Sequence, residues 1–258
     1  MASSPTALRI TMAALAATAM ISARSLPAPQ VAFRQMYSLG PGGRVTIQNL
    51  YGDVTITAWD RDDVLVEAVK HGTRTRQLED ARIVVEPGAG TLSIRTIYSD
   101  GDSHQPARVE YRLMVPRSAC LEDVRLVNGG LEIRGVEGAV KASAVNGAIR
   151  AHHLRGSVDL STVNGVVDAG FERLDRGRKI LLASVNGAIR LSLPAGASAS
   201  VYAHNTSGGI TSAFGKASRG QGGHTLKVDV HRGGAPIHVD NVNGGIFINS
   251  PGEAGGNV

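Results

Sequence analysis

The feature that most constrains the fold of this 258-residue chain is a glycine that returns every nine residues. The repeat runs from Val127 to Ala169, and apolar side chains follow each glycine two and four residues later. Alternation of apolar and polar residues predicts a strand with one buried face, and glycine between strands predicts a tight turn. The repeated glycines are Gly129, Gly138, Gly147, Gly156 and Gly165. The repeat therefore predicts one short strand and one corner in every nine residues.

Alternate units carry a Val-Asn-Gly motif, so the larger period is eighteen residues. The asparagines of this motif are Asn128, Asn146, Asn164, Asn186 and Asn243, and the glycines that follow them are Gly129, Gly147, Gly165, Gly187 and Gly244. The step from 164 to 186 is 22 residues, which indicates a four-residue insertion near 175–178. Thr206-Ser207-Gly208 reads as a degenerate copy, and the 36 residues from 207 to 243 predict one further coil without the motif.

This period predicts an all-β chain and, more specifically, a β-solenoid with stacked coils of about 18–22 residues. Strands of successive coils would lie about 4.8 Å apart around a narrow aliphatic interior. We expect the motif asparagines to stack into a hydrogen-bonded ladder and the following glycines to take the positive φ of the corner. A row of ligand-binding side chains is the alternative interpretation of the asparagines.

Residues 1–23 are predicted to be a secretory signal peptide. Cleavage as late as residue 28 is also compatible with the sequence. This segment has a lone Arg9 and a short apolar run from Ile10 to Ala19, which is too short for a convincing membrane anchor. We therefore expect an exported protein, periplasmic or extracellular, with no transmembrane segment after the leader. The single cysteine, Cys120, excludes an internal disulfide and is expected to be a small buried residue.

Residues 31–119 predict a less regular β-rich segment that caps one end of the regular coils, which we assign to 120–249. A single helical turn is predicted at Thr75–Ala81, an exposed hairpin loop at Ser99–Ala107, and a disordered tail at 250–258. We expect a soft boundary near 116–119. Strands are predicted at Val64–Val69, Ile83–Glu86, Thr91–Ile97 and Arg108–Val115, and the nine-residue unit already occurs at 43–47 and 52–56.

Composition agrees with a thin aliphatic interior, because hydrophobic residues make up 42% of the chain and aromatic residues only 4%. The net charge is +5, part of the basic excess lies in the leader, and the other basic residues are scattered along the predicted strands. Such scatter is typical of a solvated sheet face, although it could also meet an acidic polymer or anionic headgroups. The sequence has few aromatic residues and no nucleic-acid-recognition motif, which argues against nucleic acid as a partner.

Trp59 with Asp60, Asp62 and Asp63 forms a candidate binding region in the sequence. A carbohydrate or calcium site is conceivable there, but an Asp-rich turn also explains the cluster, and the spacing is not that of a calcium loop. Adjacent histidines such as His152 and His153 point to opposite faces of a strand and cannot chelate together. We therefore predict no catalytic residue, no metal and no cofactor.

Three segments carry a resemblance to a known family. They are the paired Gly-Arg-Val-Thr-Ile and Gly-Asp-Val-Thr-Ile units that lead to Trp59-Asp60, the strand Val109–Pro116, and the serial Val-Asn-Gly coils. Together they resemble the bacterial putative adhesin family, and the similarity spans most of the chain after the leader. The resemblance implies a β-solenoid fold in exported or membrane-linked proteins, and it implies no catalytic residues.

From these observations we expect a non-catalytic, adhesin-like module that presents an extended surface to a glycan, a protein or another copy of itself in the cell envelope. Self-association would use the ends of the solenoid, where strand edges are open. A parallel β-helix enzyme acting on an acidic polysaccharide is the first alternative. A scaffold or regulator in the envelope-stress response is the second.

Overall fold

The structure is a computed structural model that describes residues 30–99 and 106–250. The predicted signal peptide, the tip of the predicted 99–107 loop and nearly all of the predicted tail lie outside the described residues. The described chain is all-β, with two large mixed sheets and one six-residue helix. The predicted all-β class is therefore confirmed.

The described chain contains 21 strands and one helix. They are β1 (Gln30–Ser38), β2 (Arg44–Tyr51), β3 (Val54–Trp59), β4 (Asp63–His71), α1 (Thr75–Asp80), β5 (Ala81–Gly88), β6 (Thr91–Tyr98), β7 (Arg108–Pro116), β8 (Cys120–Asn128), β9 (Leu131–Arg134), β10 (Val140–Asn146), β11 (Ile149–Leu154), β12 (Val158–Asn164), β13 (Val167–Phe171), β14 (Ile180–Asn186), β15 (Ile189–Ser192), β16 (Ala199–Asn205), β17 (Ile210–Ser212), β18 (Ser218–Gly220), β19 (Gly223–Val230), β20 (Ala235–Asn243) and β21 (Ile246–Asn249).

The strands of the chain are divided between two sheets. Sheet A has the order β1-β4-β7-β3-β9-β11-β13-β15-β21-β17, and sheet B has the order β18-β19-β16-β20-β14-β12-β10-β8-β2-β6-β5. In the central part, each stretch of chain gives one strand to sheet B and the next to sheet A, with the Val-Asn-Gly corner between them. We call such a pair of consecutive strands a coil.

Parallel pairing of equivalent residues produces the period seen in the sequence. Val140 pairs with Val158 and Leu160 with Leu182, while Ile149 pairs with Val167 on the other sheet. Side chains alternate between buried and exposed along these strands, as in the pattern of β12, where Val158 and Leu160 are buried. One aliphatic core fills the space between the sheets, because both sheets direct their apolar positions inward.

The spatial order of the coils departs from the order in the chain at the C-terminal end. β20 lies between β14 and β16, so Asn186 pairs with Asn243 although they are 57 residues apart. The prediction of an unmarked coil between 207 and 243 is wrong. That segment instead forms the antiparallel strands β18 and β19, which close this end of sheet B.

The N-terminal end shows the same departure. The coil β2–β3 lies between β8–β9 and β6–β7, and antiparallel pairs β5–β6, β4–β7 and β1–β4 continue the sheets beyond it. The strands predicted between 64 and 115 are confirmed as β4 to β7, and the predicted helical turn is confirmed as α1. Because β2 pairs with β8 and β3 with β9, residues on both sides of the predicted 116–119 boundary build the same sheets.

Candidate functional site

The motif asparagines form a continuous ladder along one corner. The Nδ2 of Asn146, Asn164 and Asn186 each donates to the Oδ1 of the asparagine one coil earlier, at 2.9, 2.8 and 2.9 Å. Asn243 donates to the Oδ1 of Asn186 at 2.9 Å, across the 57-residue separation. The line begins at Asn128, which is half-buried, so five side-chain amides lie in a row along the protein and the other four are exposed.

The glycines beside the ladder are required by close approach. A Cβ on Gly147 would lie less than 3.0 Å from the carbonyl oxygen of Gly129, and the same holds for Gly165 over Gly147. The expected positive φ is wrong for Gly129, Gly147 and Gly165, whereas it is confirmed for Gly187 and Gly244, at 158° and 133°. Neighbouring coils therefore meet backbone to backbone at this corner, and Gly187 also lies against Gly165.

A second polar column lies behind the ladder and was not found from the sequence. Thr162 Oγ1 donates to the carbonyl of Gly147 at 2.9 Å, Ser184 Oγ to that of Gly165 at 3.1 Å, and Asn241 Nδ2 to that of Gly187 at 3.0 Å. All three side chains are buried. Their signal is a polar residue two positions before the motif asparagine, where the strand pattern demands an inward-facing apolar side chain.

On the outer side of the same corner, the valines that precede the asparagines form an exposed line. Val145, Val163, Val185 and Val242 are each 40 to 41% exposed, and we call them the valine ridge. Leu50, 43% exposed, lies two coils beyond Val145 in the strand register. Isolated exposed valines are ordinary on a protein surface, but a contiguous line of them indicates a contact surface.

A groove of about 470 Å³ runs beside the valine ridge on the outer face of sheet B. Its floor contains Ser143, Ser161 and Ala183, whose small side chains leave the space open. At the C-terminal end the groove reaches His204 and Asp240, which occupy paired positions on β16 and β20. The groove therefore offers methyl groups along one side, hydroxyl groups on its floor and charged or titratable groups at one end.

An aromatic patch continues this face beyond the groove. The rings of Tyr202 and His238 lie 5.8 Å apart, and Lys227 Nζ lies 5.4 Å from the Tyr202 ring centroid. They line a shallow depression of about 370 Å³ together with Asp229. Ser200 Oγ donates to Asp229 Oδ1 at 2.7 Å. Sequence reasoning missed this patch because its residues lie on three strands whose adjacency only the fold creates.

The predicted Trp59 to Asp63 region forms the turn between β3 and β4. Trp59 Nε1 donates to the backbone carbonyl of Asp63 at 2.8 Å, and the backbone carbonyl of Asp62 accepts the amide of Gly40 at 3.0 Å. Asp60 pairs with Arg117, whose hydrogen bond holds the pKa of that carboxyl below its ordinary value. The Asp60 carboxylate thus takes part in an ion pair, and Asp62 and Asp63 contribute backbone carbonyls to the turn. Arg61 lies 5.0 Å from the centroid of the Trp59 ring.

Several charged residues on the other surfaces lie beside residues of opposite charge. On sheet A, Glu132, Arg150, Asp168 and Arg190 occupy successive register positions, so opposite charges neighbour one another. At the corner between coils, Arg155 contacts Glu137 and Glu172, both at 3.0 Å. The Arg155 hydrogen bond lowers the pKa of Glu172. This arrangement is typical of a solvent-exposed surface on which neighbouring opposite charges offset one another.

In residues 30–99 and 106–250, no three His, Cys, Asp or Glu side chains come close enough to hold a metal ion. Over the same ranges, no helix is long and apolar enough to cross a lipid bilayer. Cys120 is a free thiol of intermediate exposure, so the expectation that it is buried is wrong.

Comparison with a solved structure of TM-score above 0.5 supports the fold. The chain is similar to a putative cell adhesion protein from Clostridium sporogenes, with a TM-score of 0.53 and 12% identity over 86% of this chain and 100% of that one. It is also similar to putative adhesins from Parabacteroides merdae and Bacteroides fragilis, with TM-scores of 0.37 and 0.36, identities of 10% and 11%, and coverage of 84% and 85% of this chain and 96% and 97% of theirs. No protein-family model and no curated protein matches the sequence.

Proposed function

We propose that this chain is a non-catalytic, exported β-solenoid module that binds a partner in the cell envelope through the outer face of sheet B. The observation that carries the proposal is the valine ridge, with four equally exposed valines beside a groove of about 470 Å³. Contiguous exposed apolar side chains of this kind usually become buried against a binding partner. The fold shared with a protein described as a putative cell adhesion protein agrees with this role.

The geometry suits an extended polymer lying across the strands. Valines and asparagine amides both repeat once per coil, so a ligand that runs along the ridge meets the same pair of groups about every 4.8 Å. A glycan strand presents carbon–hydrogen faces and hydroxyl groups side by side, which match the ridge methyls and the exposed amides of Asn146 and Asn164. A protein segment with alternating apolar and polar groups is the second partner of this kind.

The direct test is retention on purified envelope fractions. The chain is incubated with peptidoglycan, outer-membrane vesicles and exopolysaccharide, and the bound fraction is compared between the unmodified protein and the Val163→Lys/Val185→Lys variant. We expect retention on one fraction and at least a tenfold loss in the variant, because two charges would interrupt the apolar line. Phe247→Lys on sheet A is the matched control, since Phe247 is 37% exposed and lies on the opposite face.

Two results would contradict the proposal. The first is no retention on any of the three fractions. The second is equal loss in the ridge variant and in the Phe247→Lys control, which would indicate a nonspecific effect of added charge. Non-catalytic function is tested on the same polysaccharides, where release of shortened chains by the unmodified protein would argue for the enzyme alternative.

A further inference from the structure

Three of the four sheet edges in the described residues are protected against pairing with another chain. β17 and β18 have only three residues each. β5 carries Pro87, which has no backbone N–H to donate. Short strands and edge prolines are the usual means of blocking edge-to-edge association. β1 differs from all three, because it has nine residues and no proline.

The backbone groups on the open side of β1 follow from its pairing with β4. The amide of Leu39 donates to the carbonyl of Asp62 at 3.2 Å, and these two residues continue the β1–β4 register. In an antiparallel pair the backbone groups of alternate residues point to the partner strand. Odd-numbered residues of β1 therefore bond to β4, and the N–H and C=O groups of Ala32, Arg34, Met36 and Ser38 point away from it.

The side chains of β1 are also left partly uncovered. Among the described residues, sheet A continues beyond β3 with three strands and sheet B continues beyond β2 with two. β1 therefore extends one strand past the described part of sheet B. Phe33 and Tyr37 pack against the edge of the core but remain only partly buried. Gln35 lies between them and is exposed, and Met36 on the other face is 48% exposed.

We propose that the edge of β1 pairs with β1 of a second copy of this chain, antiparallel and centred on Gln35. A register centred on Arg34 would place two arginines opposite each other, which destabilises a strand pair. Centring on Gln35 sets Arg34 opposite Met36 of the second copy and Phe33 opposite Tyr37 of the second copy. The result is an aromatic cross-strand pair on one face and no opposed like charges on the other.

This register uses the free backbone groups and leaves room for both copies. Gln35 and Gln35 of the second copy form a pair without backbone bonds, and the flanking Arg34/Met36 and Ala32/Ser38 pairs exchange about eight hydrogen bonds in total. Because sheet B ends one strand before sheet A, the two β5 strands would stay about 14 Å apart, or three strand spacings. Sheet A would thus run continuously through both copies.

Disulfide trapping tests the register. In a Cys120→Ser background, Gln35→Cys places two thiols across the two-fold axis, where the Cα atoms of a non-hydrogen-bonded pair lie about 4.5 Å apart and can be bridged. We expect a disulfide-linked dimer under mild oxidation. Ser38→Cys is the matched control on the same strand, since its two copies would lie about 20 Å apart and should not cross-link. Equal cross-linking of both variants would overturn the proposal.

Light scattering of the unmodified chain gives the independent readout. We expect the mass to double as concentration rises, and Met36→Lys to raise the dimer dissociation constant at least tenfold because the lysine faces Arg34 of the second copy. Met36→Glu at the same position should leave the constant unchanged or lower it. A monomer at every concentration, without cross-linking of Gln35→Cys, would refute the dimer. The valine ridge lies on sheet B, so loss of the dimer should leave the proposed envelope-binding surface intact. Binding of the monomeric Met36→Lys variant to envelope fractions therefore tests envelope binding separately from dimer formation.

Discussion

Substitution of one corner glycine should measure how tightly the coils approach. In Gly129→Ala the new Cβ would lie less than 3.0 Å from the carbonyl oxygen of Gly52, which is backbone and cannot rotate away. The corner must open, and this weakens the bonds from Gly52 N–H to the Asn128 carbonyl (2.9 Å) and from Gly129 N–H to the Asn146 carbonyl (3.1 Å). Two weakened bonds at about 1 kcal/mol each and about 1–3 kcal/mol of overpacking give a loss of about 3–5 kcal/mol.

The neighbouring glycine provides the control. A Cβ on Gly130 would meet its nearest atoms, Asp53 Oδ1 and the Ala148 carbonyl, at 3.7 and 3.8 Å, which is ordinary contact. Gly130→Ala should therefore leave stability unchanged or raise it by about 0.4–1 kcal/mol through the unfolded chain. Urea unfolding of both variants gives the free energies directly. If the two substitutions change the free energy of unfolding equally, the close-approach reasoning is wrong.

Three further predictions concern the ladder, the core and alkaline pH. Asn164→Ala removes the bonds to Asn146 and Asn186 and should lower the free energy of unfolding in urea by about 1–2 kcal/mol, and no loss would show that the ladder does not stabilise the fold. Leu160→Ala, at a fully buried position, should cost about 2–5 kcal/mol in the same assay, and a loss below 1 would contradict the described packing. Burial raises the pKa of Tyr111 from 10.0 to about 12. The stabilisation by the neutral Tyr111 side chain is therefore complete below pH 10, and the free energy of unfolding falls by about 1.4 kcal/mol per pH unit as pH rises toward 12. Urea unfolding at pH 9 and pH 11.5 should show this fall, and Tyr111→Phe should reduce it.

The position of the sheet edges explains why the proposed self-association and the proposed envelope binding involve different parts of the protein. The valine ridge repeats with the coils and lies on sheet B, far along the chain from β1. The edge of β1 arises where the repeat ends and antiparallel strands take over. A binding surface built from repeats and an association surface built from an end can therefore act together in one assembly.

The regular unit could be read from the sequence because its causes are local. Alternation of Val158, Asp159 and Leu160 fixes which face of β12 is buried, and the Asn164-Gly165 pair fixes where the strand turns. Equivalent residues then pair from coil to coil without further information. The strands before 116 and the helix α1 were predictable for the same reason, since turn residues and apolar runs mark their limits.

The role of the corner glycines was misjudged because close approach is not a local property. Gly147 does not have the positive φ that would itself favour glycine, and glycine is needed there because the carbonyl of Gly129 lies against it. The buried donors Thr162 and Ser184 escaped notice for the same reason, since their acceptors belong to the preceding coil. A contact between coils involves two residues that are distant in the sequence, and neither residue type identifies the contact by itself.

The sequence by itself determined the strand-and-corner unit, its period and the line of asparagines, because spacing along a strand dictates which side chains share a face. Only the tertiary structure decided the order of the coils, the groove that ends at His204 and Asp240, and the open edge of β1. The physical reason is that parallel pairing joins any two strands with matching faces, whatever their separation in the chain. Asn186 therefore bonds to Asn243, 57 residues away, while the intervening segment builds the end of the sheet.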